Sequence, residues 1–586
     1  MNKNSKKVFI LGAGYGGIQA ALTLQKKKKK SDNIEIFIID KNPYHTLLTE
    51  IHEVAANRIN ENGVTVYLKD IFQYTDVKVI QDYIKDIDFE NQTLRSENNS
   101  YSYDFLIIGI GSEPHYYGIE GLKENGFSLW SHKDAVKIKN HILSMFDKAA
   151  KEPDPEKRKA YLTFAVVGGG FTGTEMVGEL ALWVKDLANI YKVNLKEVRL
   201  LLIEALPKIL SILDDSLIHK AEKYLKNKLG VEILTNSPIT KVNNDSFVIN
   251  NEKTIKSHTL IWAGGVQANK CLIDIDLEKG KGERVCVDPY TRTKYKNVFA
   301  IGDFALFTTE DNQILPALVE TALETGKYAA INVLNLIRNQ ELEKAKPKLH
   351  GIMVSMGKNY AVANIMGIKL SGYPALLMKH MVNIHYLFGI GGFELIGKYL
   401  KNEFWGVNHQ RGFLHRHLDK VSPTFLLVFL RLYLGYMWLM SGLDKINSGW
   451  FQYQMLAGSN VDTTTGATVM QLVSSHTPGW YAWLVDHLII PNSMLFQKLV
   501  VLTEIGLGLA FITGTFTFLA AIVSIGMNIN FLLSTGLNDL WFLISSIPML
   551  GGAGRAFGVD HYLMPYLMRQ WRHFVRKRRI KINLWK

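Results

Sequence analysis

Val8-Phe-Ile-Leu11-Gly12-Ala-Gly14-Tyr-Gly-Gly17 decides how the N-terminal part of this chain is read. A short apolar run enters a glycine turn, and a helical segment, 18–24, leaves it. In such a turn the first glycine permits the bend and the second lets the backbone approach a pyrophosphate. The third lets helix and strand pack closely, and the helix N-terminus then faces the phosphates. The next apolar run, 34–39, ends at Asp40, where a carboxylate accepts a hydrogen bond from a ribose hydroxyl. A lone G-x-G-x-x-G is weak. With strand, helix and terminal acid in place, Gly12, Gly14, Gly17 and Asp40 read as a dinucleotide site.

A second turn follows the run 164–167: Gly168-Gly-Gly170-Phe-Thr-Gly173. Its helix carries Glu175 and Glu179, and the next strand ends at Glu204. An acid there bonds the 2′-hydroxyl of an adenosine ribose and repels a 2′-phosphate, which predicts NADH rather than NADPH. Two dinucleotide sites on one chain suggest electron traffic between two cofactors.

Short apolar strands at 105–109, 200–203 and 259–262 alternate with helical stretches up to about residue 345. That rhythm predicts an α/β architecture of two Rossmann-like domains with parallel sheets. From about residue 421 the material changes. Runs at 423–443, 494–512 and 516–533 approach the roughly 20 residues that cross a bilayer, and 540–550 starts a weaker fourth. The expectation is an all-α, four-helix transmembrane domain. Arg411, Arg416 and Lys420 precede the first run; Arg555, Arg569, Arg572 and Arg576 follow the last. The loop 447–492 has no Lys or Arg, so both ends are expected in the cytoplasm. Arg431, Asp444 and Glu504 lie in or near the spans, and an Arg431–Glu504 ion pair is expected.

The totals agree with such a mixture. The chain has 586 residues, enough for several domains, and a formal charge of +13. Mean hydropathy is +0.02, an average over enzyme-like and membrane-like material. The basic excess concentrates after Asp560, where Lys and Arg occur without Asp or Glu. That tail fits an anionic lipid face better than nucleic acid. Only Cys271 and Cys286 are present, so no disulfide framework, Cys-x-x-Cys redox pair or cysteine-rich metal site exists. No signal peptide is read at the polar start, and no metal is expected.

Thr293 with Val298-Phe-Ala-Ile-Gly302-Asp303 resembles the second flavin signature of flavoproteins with two dinucleotide-binding domains. The resemblance implies non-covalent FAD at the first turn, with Asp303 on its ribityl chain, and NADH at the second. Three further stretches resemble type II NADH:quinone oxidoreductases: Pro43-Tyr-His-Thr-Leu-Leu-Thr-Glu50, Phe171-Thr-Gly-Thr-Glu175-Met-Val-Gly178-Glu179, and Ile261-Trp-Ala-Gly264-Gly265-Val266. This likeness runs over about 6–400. Disulfide reductases and sulfide:quinone oxidoreductases rely on cysteines that this chain does not place.

By that resemblance, Glu175, Lys379 and His45 are the catalytic candidates, and Gly264 joins the NADH set. Lys379 is expected near a quinone tunnel, with a snorkelling lysine as the rival reading. His45 is expected near the isoalloxazine, or else serves only to satisfy a backbone group. The family's Ala-Gln-x-Ala-x-Gln run is represented by Ala317 to Glu324, with Glu320 and Glu324 in place of both glutamines. They read either as quinone-side carboxylates or as a helix face paired with a base such as Lys327. Residues 375–404 are expected to lie at a membrane interface. His415 and His417 read as membrane-surface residues. Arg431-Leu-Tyr-Leu-Gly435 with Ser441-Gly442-Leu-Asp444-Lys445 resembles the first helix of DoxX-like membrane proteins.

The expected organisation is an FAD domain (1–125 and 265–345), an inserted NADH domain (126–264) and a quinone-side membrane-associating region (346–420). A DoxX-like domain (421–555) and a basic cytoplasmic tail (556–586) follow. The expected activity is non-proton-pumping transfer from NADH through FAD to a membrane quinone, at the inner (cytoplasmic) membrane. Membrane lipid, NADH and quinone are the partners, nucleic acid is not, and a homodimer is compatible. The alternatives are a flavin reductase feeding another carrier or the fused membrane domain, and an NADH-sensing membrane scaffold.

Overall fold

The computed structural model describes residues 5–272, 275–309, 313–405, 424–458, 470–475, 477–534, 536 and 540–578. It divides into two compact units, whose described parts lie within 5–405 and 424–578. His415 and His417 lie outside the described residues.

The first unit is built on two parallel five-stranded sheets that share the order of four strands and differ in the chain position of one edge strand. In one, Lys6–Leu11 is central, with Ile34–Asp40 then Lys78–Gln81 on one side and Phe105–Ile108 then Val298–Ala300 on the other. In the other, Thr163–Val167 is central. Arg199–Ile203 then Glu232–Leu234 flank it on one side, and Thr259–Trp262 then Phe127–Ser128 on the other. These strands are apolar runs because both faces of each sheet are covered, one by helices and the other by a small three-stranded antiparallel sheet, 86–102 in the first case and 239–256 in the second. Val8, Ile10, Ile38, Phe164, Val166 and Leu202 are 0 % exposed.

Each central strand feeds a helix through its glycine turn: α1 (Tyr15–Lys27) and α2 (Phe171–Tyr191). After the last strand of the first sheet comes α3 (Val319–Ile337), which packs along α1. A three-stranded antiparallel sheet, Gly351–Ser355, Ala361–Ile365 and Ile368–Ser371, leads into α4 (Tyr373–Leu400), bent at Gly392. One side of α4 is buried. The other exposes Tyr373, Leu377, Met381 and Phe388 at helical spacing.

The second unit is helical: α5 (Leu427–Asn447), α6 (Ser493–Thr513), α7 (Thr517–Ser534), α8 (Leu540–Met549) and α9 (Asp560–Arg578). Glycines let α5 and α6 approach closely. A Cβ on Gly435 would stand 2.9 Å from the Ile512 nitrogen, and one on Gly508 2.7 Å from that of Leu439. Gly514, at φ +68°, turns α6 into α7.

The expectation is four spans; by length and composition two helical stretches among the described residues suit a membrane crossing, Gly479–Thr513 and Thr517–Ser534. Helix α8 stops after ten residues, with Pro548 next to its end, and α5 is diluted by Arg431, Asp444 and its Tyr and Trp residues. The expected Arg431–Glu504 ion pair is corrected. Glu504 pairs with Lys445 at 2.9 Å and accepts from Ser441. Arg431 instead donates to the Ala553, Ala556 and Phe557 carbonyls. The reason is depth: α5 and α6 run antiparallel, with Gly435 opposite Ile512 and Gly442 opposite Ile505. Glu504 therefore meets the C-terminal end of α5, while Arg431 lies near its start. The stretch expected as a basic tail contains helix α9.

Candidate functional site

The two glycine turns repeat one another atom for atom in their logic. Gly12 has φ +99° and a Cβ there would strike the Gly109 carbonyl oxygen at 2.3 Å. Gly168 has φ +108° and would strike that of Ala263 at 2.5 Å. The third glycines, Gly17 and Gly173, would each drive a Cβ to 1.9 Å from the carbonyl oxygen of the first. The middle glycines differ: around Gly14 and Gly170 no atom lies within 4 Å of the Cβ position. Both are helix N-caps without a side-chain cap, so the first-turn amides of α1 and α2 face open space.

The strand-end acids match too. Asp40 accepts from Ala13 N–H at 2.7 Å and from Asn42 N–H at 2.8 Å. Glu204 accepts from Gly169 N–H at 2.6 Å and from Leu206 N–H at 2.8 Å. Each carboxylate is thus locked beside its turn. Burial pushes the Asp40 carboxyl above the ordinary range. In the second turn Gly264 packs behind Gly168 and against the Trp262 ring.

Asp303 and Gly302 complete the first site. Gly302, at φ +63°, donates its N–H to Thr325 Oγ1 on α3 at 3.0 Å. Asp303 accepts from Ser112 Oγ at 2.7 Å, and burial raises its carboxyl. Arg284 donates to the Asp303 and Leu315 carbonyls, yet its buried Nη2 has no partner. An unpaired buried donor on the residue that holds the Asp303 carbonyl suits a ligand rich in acceptors. These residues fit FAD at the first turn and NADH at the second.

Between the turns lies a buried ionic cluster of which the sequence signalled only part. Lys379 on α4 meets Glu50 at 2.9 Å and Glu53 at 2.7 Å. Arg58 meets Glu53, Glu179 at 3.2 Å and Glu403 at 2.9 Å. His52 Nδ1 lies 3.7 Å from Glu175, whose other oxygen accepts from Ser355 N–H and Oγ. Asn383 bridges Glu50 to the Tyr399 hydroxyl. Carboxylates at 50, 53, 175, 179 and 403 thus outnumber the permanent cations Lys379 and Arg58.

The electrostatics follow from this surplus. Burial, opposed by Lys379 and reinforced by Glu50, raises the Glu175 carboxyl to about 7. Burial would raise Glu50 as well, but the Lys379 charge together with the hydrogen bonds from Lys379 and Asn383 outweighs it and the net direction is down. Burial and the Lys379 charge hold His52 well below its ordinary value, so it is neutral. Lys379 stays charged, because Glu50 and its neighbours outweigh burial. It is 6 % exposed and does not snorkel.

His45 stands apart from this cluster. It is buried against the first turn, with Nδ1 3.1 Å from the Ala13 carbonyl and Nε2 3.0 Å from the Tyr386 hydroxyl. Glu320 accepts from His350 N–H at 2.9 Å and meets its Nδ1 at 3.1 Å; Glu324 pairs with Lys327 at 3.2 Å. Among the described residues no hydrogen bond or ion pair joins Glu320 or Glu324 to Lys379. Cys271 and Cys286 are both free thiols. The sequence reading missed Glu53, His52, Arg58, Asn383, Tyr386, Tyr399 and Glu403. One signal was available: three ionisable residues, Glu50, His52 and Glu53, crowd an otherwise apolar segment that includes Ile51, Val54 and Ala55.

Comparison with known proteins agrees with this geometry. The family model described as pyridine nucleotide-disulphide oxidoreductase matches residues 6–326, and the DoxX model matches 426–535. A type II NADH:quinone oxidoreductase of Staphylococcus haemolyticus is 31% identical over 404 residues, covering 68% of this chain and 99% of the relative. One from Staphylococcus aureus is 30% identical over 404 residues, with the same coverage. The structure of NDH2 from Plasmodium falciparum in complex with NADH superposes with a TM-score of 0.61 at 20% identity, covering 69% of this chain and 99% of that one. A sulfide:quinone oxidoreductase from Aquifex aeolicus shares the fold at TM-score 0.55 and 17% identity, covering 71% of this chain and 96% of that one. With both nucleotide turns, their acids and near-complete coverage of its relatives, this chain belongs to the type II NADH:quinone oxidoreductase family.

Proposed function

We propose that this chain oxidises NADH and reduces a quinone drawn from the membrane, without pumping protons. The observation that carries the reading is the duplicated turn. Two open glycine cradles, each with its acid locked alongside, flank one buried ionic cluster. Gly12, Gly14, Gly17, Asp40, Gly302 and Asp303 hold FAD; Gly168, Gly170, Gly173, Glu204 and Gly264 hold NADH. FAD, when bound, supplies the chemistry that accepts electrons from one substrate and delivers them to the other.

The protein's own residues orient the partners and manage protons. Glu204 offers a carboxylate to a 2′-hydroxyl and repels a 2′-phosphate. Glu175 exchanges a proton at its carboxyl near neutral pH, beside the neutral His52 ring. Lys379 supplies a fixed positive charge within a carboxylate-rich pocket, where it favours an anionic form of the quinone ring. Glu320 and Glu324, engaged by His350 and Lys327, are the less favoured quinone contacts.

Attachment is twofold. The exposed face of α4, with Lys398 and Lys401 at its end, suits an interfacial helix. The apolar helices of the DoxX-matching segment associate with the membrane. A four-span, multi-pass arrangement with the nucleotide sites on the cytoplasmic face follows from the flanking Lys and Arg residues. NADH-driven quinone reduction by the purified chain in a membrane mimic tests the reading; a chain inert to NADH would refute it.

A further inference from the structure

Ala13 sits between the first two glycines of the first turn, and side chains hold both of its polar backbone groups. Its N–H donates to Asp40 Oδ2 at 2.7 Å. Its carbonyl oxygen lies 3.1 Å from His45 Nδ1. A carbonyl only accepts, so Nδ1 carries the proton and Nε2 is an acceptor. The group that meets Nε2, at 3.0 Å, is the Tyr386 hydroxyl, which therefore donates.

The surroundings leave these roles no freedom. His45 is 1 % exposed, and burial lowers its pKa to about 4, so the ring is neutral. Burial and the neighbouring Tyr15 hold Tyr386 well above an ordinary phenol, so its proton stays. Tyr15, the first residue of α1, packs edge-on to His45 at 4.8 Å and against Tyr386 at 4.9 Å.

The consequence lies in peptide planarity. The Ala13 carbonyl and the Gly14 N–H belong to one trans peptide unit, and the described chain has no cis bonds. Fixing the carbonyl toward His45 fixes the Gly14 N–H on the opposite edge. Gly14 is the middle glycine, with open space around it.

The geometry points to His45 and Tyr386 as positioning residues: the Tyr386 hydroxyl, through one fixed tautomer of His45, orients the Ala13–Gly14 peptide, so that retention of FAD depends on helix α4. This rests on the first turn being the FAD site. Tyr386 and His45 are 341 residues apart in sequence, so the link is wholly tertiary. Because α4 also carries the exposed apolar stripe, FAD retention and membrane attachment share one helix.

The test uses the full chain, purified in detergent. FAD release is followed by the rise in free-flavin fluorescence after dilution, with the visible circular dichroism of the bound flavin as a second readout. Losing one hydrogen bond predicts about fivefold faster release for Tyr386→Phe, and His45→Ala exceeds that. His45→Asn places an amide nitrogen near the Nδ1 position, keeps the bond to Ala13 without the link to Tyr386, and is expected to restore release to the level of Tyr386→Phe. His45→Gln places it near Nε2 and is not expected to restore it. Parent-like release and dichroism in Tyr386→Phe and His45→Ala would overturn the clamp. So would equal behaviour of His45→Asn and His45→Gln, which would mark a general packing effect. A parent chain without flavin would overturn the FAD reading, and the clamp with it.

Discussion

Lys379 Nζ lies 2.7 Å from Glu53 Oε1, joining helix α4 to the short helix Ile51–Ala55, which comes after the strand that ends at Asp40. The same ammonium reaches Glu50 at 2.9 Å. One cation thus satisfies two buried carboxylates contributed by a distant part of the chain. Removing it leaves Glu50 without a cation and Glu53 with Arg58 alone.

Lys379→Met should lower quinone reduction at least about tenfold and destabilise the fold by about 3 kcal/mol, the usual cost of breaking a buried pair from one side. Steady-state turnover and a thermal melt check the two effects separately. Glu50 gives the sign with pH: its carboxyl is depressed in the fold, so its stabilisation is present above the unfolded value and is lost as pH falls through the folded one. In Lys379→Met that acid sensitivity should vanish. Retained turnover would remove Lys379 from the quinone side.

Glu175 works in the opposite direction. Its carboxyl is raised from 4.5 to about 7, so between those values the folded chain holds a proton that the unfolded chain has released. Stability therefore falls as pH rises through that window, by about 3 kcal/mol in all. Glu175→Gln should flatten that slope and erase the inflection near pH 7 in kcat. Melting curves and a pH–rate profile read the two. An unchanged inflection would assign it to another group.

How far the sequence reached can be judged from these residues. The glycine turns, Asp40, Glu204 and Asp303 were legible because strand, turn, helix and acid follow one another in local order. The α/β class followed from the same rhythm. The Lys379 cluster was not legible as a whole, since Lys379 and Glu53 are 326 residues apart and nothing local links them. Arg431 and Glu504 misled for a related reason. Both are ionisable groups in apolar helices, but the antiparallel register of α5 and α6 sets them at different depths. The end of α8 near Pro548 was not legible, since an apolar average does not reveal a helix's length.

Glu204 should set nucleotide choice. Its carboxylate already accepts two backbone N–H groups, which fixes it where a ribose edge arrives. Glu204→Ser should reduce the preference for NADH over NADPH by about tenfold or more, mainly through KM. Unchanged preference would remove Glu204 from that role.

In the second unit, Lys445→Met leaves the buried Glu504 without its cation. It should lower the thermal stability of the helical unit by about 3 kcal/mol, and Lys445→Met with Glu504→Leu should recover most of that loss. A double-mutant cycle read by melting in detergent checks it. Additive losses would show that the pair is not coupled.

The central claim is that one chain carries electrons from NADH to a membrane quinone. The most direct measurement is anaerobic flavin absorbance of the purified full chain in nanodiscs, first with NADH and then with quinone. The account predicts bleaching of the oxidised-flavin absorbance on NADH, and its return on quinone addition. No bleaching with NADH, or bleaching that quinone does not reverse, would contradict it.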